Sequence, residues 1–116
     1  MRPFIIAKPL QAKLIANGRQ ALRDPEADPR PIVKLFTPDA NATWLLSEID
    51  PYDTDRAFGL CDLGLGFPEL GHVSLRELAQ LRGRLGLPVE RDRFFHGTKP
   101  LSAYLEDAKA TGRVLA

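Results

Sequence analysis

Four arginines, Arg82, Arg84, Arg91 and Arg93, fall in one short stretch that also carries Phe94, Phe95, His96 and Lys99. Guanidinium groups pair with phosphate oxygens, and aromatic rings offer faces on which bases stack. The mixture predicts a surface that grips nucleic acid or a protein partner, with Arg82, Arg84, Arg91, Arg93 and Phe95 as its contacts. Glu90 and Asp92 interrupt the run, and ordinary surface ion pairs account for the same composition.

A second set is acidic. Alternation along Thr43 to Ile49 puts Trp44, Leu46 and Glu48 on one strand face, with Ser47 and Ile49 on the other. A hairpin register that sets Leu46 opposite Leu60 also sets Trp44 opposite Asp62 and Glu48 opposite Phe58. Glu69, on a following strand, then approaches Asp62. Carboxylates a few ångströms apart hold Mg²⁺ for phosphodiester cleavage, and Lys34 would supply a cation near the scissile phosphate. Solvated strand ends and turn caps explain the same acids.

The remaining candidates carry less. His72 has the pKa range of a general base, but neither it nor His96 has a metal-ligand spacing. Cys61, between Leu60 and Asp62, reads as a small core residue rather than a nucleophile. Ser47, Ser74 and Ser102 have no nucleophile-elbow context. Gly59, Gly64, Gly66 and Gly71 lack the Lys-Ser/Thr of a phosphate loop and read as bulge and turn glycines. No cofactor is expected.

These residues need elements to position them. A helix is predicted over about 9–22, with Pro9 in its first turn and Leu10, Leu14, Ala21 and Leu22 at helical spacing. The segment 23–31 carries Pro25, Pro29 and Pro31 and predicts a loop. Strands are predicted over 32–36, 43–49, 56–63 and 69–73, forming a sheet over about 32–73. Ser74-Leu75-Arg76-Glu77 is a capping box opening a helix over about 75–83, with Leu75, Leu78 and Leu81 inward and Gly83 at its end. A last helix is predicted over about 99–110, with Leu101, Tyr104, Leu105 and Ala108 inward and Gly112 ending it. The order gives a single α+β domain over 1–116, an antiparallel three- or four-stranded meander with helices packed on one face.

Composition limits the class. With 116 residues, 44% hydrophobic and a net charge of +1, the chain is neither disordered nor long enough for two cores. No apolar run approaches the ~20 residues of a membrane span. The patch Phe4-Ile5-Ile6 is bracketed by Pro3 and Pro9, so it does not read as a signal peptide. One cysteine makes no internal disulfide, and a cytoplasmic setting without membrane contact is expected. Charge is segregated: Arg2, Lys8, Lys13, Arg19 and Arg23 precede any acid, and the seven acids from Asp39 to Glu69 face Arg56 alone. Such segregation can steer charged partners.

Several joined segments are recognisable. Lys34-Leu35-Phe36-Thr37-Pro38, the run Trp44 to Pro51, Ala57 to Gly64 and Pro68 to Leu75 together resemble a bacterial family catalogued as domain of unknown function 2958. Leu87 to Asp92 and Lys99 to Ser102 extend the resemblance over about 34–108. It implies a setting on plasmids and other mobile elements, beside DNA-processing and anti-restriction genes. It implies no catalytic residue. Two functions stand open from the sequence: a non-enzymatic accessory module binding nucleic acid or a host protein, or a Mg²⁺-dependent nuclease using Asp62, Glu69 and Glu48.

Overall fold

A computed structural model describes residues 6–116. Arg2 and the Phe4-Ile5 part of the N-terminal apolar patch lie outside the described residues. The elements run α1 (Lys8–Arg23), β1 (Val33–Phe36), β2 (Thr43–Asp50), β3 (Asp53–Asp62), β4 (Glu69–Ser74), α2 (Leu75–Gln80), β5 (Glu90–Arg91) and α3 (Leu101–Thr111). The five strands form one antiparallel sheet in the order β4-β3-β2-β1-β5. The α+β class and the antiparallel meander are as the sequence predicts. The fifth strand is added by the stretch after Pro88, which returns to pair Glu90 with Phe36 and Arg91 with Leu35.

The helices divide between the two faces rather than sharing one. Side chains alternate along a strand, so Leu45 and its partner Leu60 face away from Trp44 and Leu46. Trp44, Leu46, Ile49, Val33 and Leu35 pack with Leu14 of α1 and Leu78 of α2. Leu45 and Leu60 pack with Leu101, Tyr104 and Ala108 of α3. A sheet apolar on both sides needs cover on both, which explains why Trp44 to Ser47 are all buried.

A β-bulge at Ser47 changes the predicted register. Glu48 lies opposite Phe58 as expected, but before the bulge Trp44 pairs with Cys61 and Leu46 with Gly59. The extra residue shifts the ladder by one, so Ile49 rather than Glu48 shares the face of Trp44 and Leu46. A bulge leaves backbone groups outside the ladder, and here α1 meets one of them. Asn17 Nδ2 donates to the Ser47 carbonyl at 2.9 Å. α1 lies close enough that a Cβ on Gly18 would sit 2.0 Å from the Ile49 carbonyl oxygen. Gly18 weakens the helix locally and permits this crossing. Leu22, expected inward, points to solvent beyond the contact.

The serine half of the capping box forms as predicted, with one addition. Ser74 Oγ accepts from the Glu77 amide at 3.2 Å and donates to Asp55 Oδ2 at 2.6 Å. Asp55 Oδ1 takes the Arg76 amide at 2.8 Å, so a carboxylate from β3 joins the cap. Ser74's hydrogen bond holds the Asp55 carboxyl below its ordinary value, helped by the Arg76 amide. Such a cap contributes about 1 kcal/mol.

α2 ends at Gln80, short of the predicted residue 83, and Leu81 is largely exposed. The cause lies across the chain at Asp39, which draws the following segment into a turn. Asp39 Oδ2 accepts from the amides of Leu85 (2.7 Å) and Leu87 (3.2 Å), and Gly83 donates to the Leu87 carbonyl. Gly83 lies against the Asp39 carboxylate, where a Cβ would stand 1.7 Å from Oδ1. α3 buries Leu101, Tyr104 and Ala108 as expected, and Gly112 ends it at φ 78° with its amide on Ala108.

Candidate nucleic-acid interface

On the α3 side of the sheet, pairing sets Glu90, Phe36, Thr43 and Asp62 in one row across β5, β1, β2 and β3. Lys34, Leu45 and Leu60 form the next row. Leu45 and Leu60 lie under α3, whereas the Phe36 row runs past that cover. An open groove of about 940 Å³ remains over it. Lys34, Phe36 and Thr43 line the groove with Asn41, the turn glycines Gly64 and Gly66, the segment Glu90 to Phe94, and Gly112 to Val114.

Asp62 anchors one wall. It is buried, and its Oδ1 accepts from the Gly64 amide (2.8 Å) while Oδ2 accepts from the Val114 amide (2.9 Å). The carboxylate thus ties the β3–β4 turn to the segment after α3. Lys34 anchors the other wall: its Nζ donates to a main-chain oxygen of Ala116 at 2.6 Å and lies 3.7 Å from Asp92 Oδ2. Asp92 in turn sets the following turn, with Oδ1 on the Phe94 amide at 2.9 Å. Arg93 and Arg113 stand exposed on the rim, and half-buried Arg91 also lines the groove.

Of the arginines that the sequence singles out, Arg91 and Arg93 reach this groove and Arg82 and Arg84 do not. Arg82 Nη1 donates to the Ala79 and Leu81 carbonyls, closing the C-terminal end of α2. Arg84 is exposed on the turn that Asp39 holds. Phe95 packs inward, its ring 6.4 Å from Tyr104, while its neighbour Phe94 is 90% exposed. Arg113 is a charged groove residue outside the basic run that the sequence points to, and Phe94, which that run includes, holds the place on the groove expected of Phe95. The alternation of an exposed and a buried ring in Phe94-Phe95 is a two-residue pattern that does not say which ring is which.

The three carboxylates do not converge. Glu48 lies opposite Phe58, four residues along β3 from Asp62, or about 13 Å at strand rise. Glu69 pairs with Cys61 and therefore points to the other face from Asp62. Among the described residues no group of three or more His, Cys, Asp and Glu side chains is placed to hold a metal ion. Lys34 lines the same groove as Asp62 but from the opposite wall, where it is bound to Asp92 and Ala116.

The remaining candidates occupy a separate place. Glu48, Phe58 and His72 form a row across β2, β3 and β4, with the Phe58 and His72 rings 5.0 Å apart. Burial raises the Glu48 carboxyl, and its Oε2 is buried without a hydrogen-bond partner among the described residues. Burial lowers His72, as does Arg56, against a smaller pull from Asp50. Cys61 is a poor nucleophile, because burial and the Glu69 carboxylate both push its thiol up. His96 is exposed, beside a smaller cleft of about 410 Å³ lined by Lys99, Tyr104 and Phe94.

A five-stranded antiparallel sheet with helices packed on both faces and a groove lined by Arg91, Arg93 and Arg113 defines an α+β domain. The chain matches the family described as protein of unknown function (DUF2958) over residues 5–115 and belongs to it. No curated protein and no solved structure matches the chain. Among the described residues no helix is long and apolar enough to cross a membrane.

Proposed function

We propose that this protein is a non-catalytic accessory module of a mobile genetic element that binds nucleic acid through the groove. The observation that carries the reading is the meeting of Arg93 and Arg113, two exposed arginines from separate segments, on the rim of one open cleft beside an exposed aromatic ring. Arginines so placed contact phosphate without regard to sequence, and binding of that kind weakens steeply with salt. The separation of Glu48, Asp62 and Glu69 favours this reading over a nuclease that uses those three carboxylates. Fluorescence anisotropy with labelled single-stranded and duplex oligonucleotides at low salt tests the proposal. Binding by neither would overturn it.

A second reading has its own observation. The β3–β4 turn presents Leu65 and Phe67 at 73% and 83% exposure, and Gly66 between them lines the groove. Large apolar side chains held in water at a turn favour a protein partner. Capture from a cognate bacterial lysate with and without nuclease treatment separates the two, since retention that survives nuclease requires a protein contact.

A further inference from the structure

Phe94 lines both the groove of about 940 Å³ and the neighbouring cleft of about 410 Å³. The residue therefore borders both clefts, and its ring, 90% exposed, is open to a strand that leaves one for the other. The ring's exposure is built into the turn. Asp92 Oδ1 holds the Phe94 amide, the Asp92 amide donates to the Lys34 carbonyl at 2.9 Å, and Phe95 is drawn inward to Tyr104. Arg93 and Arg113 flank the larger cleft, and His96 and Lys99 line the smaller one. Lys99 is also paired with Asp107 and sits over the Tyr104 ring, which fixes its charge on that wall. A base inside a duplex has both faces covered by its neighbours, so a single exposed ring has nothing there to stack on.

We infer that the groove takes a single-stranded nucleic acid, with one base stacked on Phe94 and the flanking phosphates in the two clefts. This rests on the nucleic-acid reading and narrows it to one class of strand. The test measures anisotropy of a labelled oligothymidylate of roughly 12 nucleotides, a duplex of the same length, and an abasic strand of the same length. Wild type binds the oligothymidylate more tightly than the other two. Phe94→Ala weakens oligothymidylate binding about tenfold or more and leaves duplex binding and the salt slope unchanged. Phe94→Trp retains affinity, and its emission is quenched on binding while the buried Trp44 contributes a constant background. Because Phe94 is exposed, neither variant disturbs the core. An abasic strand that binds as well as oligothymidylate, or Phe94→Ala that binds as wild type does, overturns the inference while leaving the groove a phosphate site. Failure of every strand to bind overturns the nucleic-acid reading itself, and this inference with it.

Discussion

Replacing Asp62 by asparagine separates an anchoring role from a catalytic one. In the native protein its two oxygens accept one amide each, from Gly64 at 2.8 Å and Val114 at 2.9 Å, in a buried setting. Asparagine keeps one acceptor and must turn its NH₂ toward one of those N–H groups. One charge-assisted bond is lost, the other becomes neutral, and a buried donor faces a donor. A bond to a charged group contributes about 1.5–3 kcal/mol, so the variant loses about 2–3 kcal/mol. For a chain of this length that corresponds to a melting temperature about 8–12 °C lower. Hydrogen exchange at the Gly64 and Val114 amides should accelerate more than exchange within β2. Added Mg²⁺ or Mn²⁺ should leave the wild-type melting temperature where it is. A variant that melts with wild type and keeps Val114 protected would refute the anchoring role. A metal-induced rise that Asp62→Asn abolishes would make Asp62 a ligand and revive the nuclease.

Glu48→Gln tests the buried carboxyl of the Glu48–Phe58–His72 row. Because burial raises its pKa above the ordinary 4.5, the native state holds the proton more tightly than the unfolded chain, and stability falls as pH rises from there through the raised value. Urea melts should show the variant gaining on wild type at about pH 7 and not at about pH 4; an equal loss at both would contradict the assignment. Gly18→Ala sets helix propensity against packing. Propensity favours alanine by about 1 kcal/mol, but the new Cβ falls 2.0 Å from the Ile49 carbonyl oxygen, and overpacking costs about 1–3 kcal/mol or more. Thermal melts should find the variant less stable than wild type, and a higher melting temperature would show that α1 does not cross β2 so closely.

The parts of the fold legible in the sequence are those written in local chemistry. Ser74-Leu75-Arg76-Glu77 states its own cap, and Leu101, Tyr104 and Ala108 state the face of α3 by spacing alone. The four predicted strands lie between turn residues that act locally. What escaped depends on partners distant in the chain. The Ser47 bulge is met by Asn17 from another element, and α2 stops early where Asp39 gathers the amides of Leu85 and Leu87. β5 is two residues long, too short for any periodicity to announce it. The same holds for the site. Arg91 and Arg93 sit in one basic run of the sequence, whereas Arg113 joins them where Asp62 ties Val114 back to the β3–β4 turn. Arg82 resembled its neighbours in type and spacing, yet the end of α2 claims its guanidinium.

The central claim is that Arg93 and Arg113 contact the phosphates of a bound strand, and the salt dependence of binding tests it most directly. Each phosphate neutralised on a single strand contributes about −0.7 to the slope of log affinity against log salt. Changing Arg93 and Arg113 together to alanine should flatten the wild-type slope by about 1.4. The melting temperature should stay nearly unchanged, because exposed arginines carry little stability. A double variant that binds oligothymidylate with the wild-type affinity and the wild-type slope would contradict the claim.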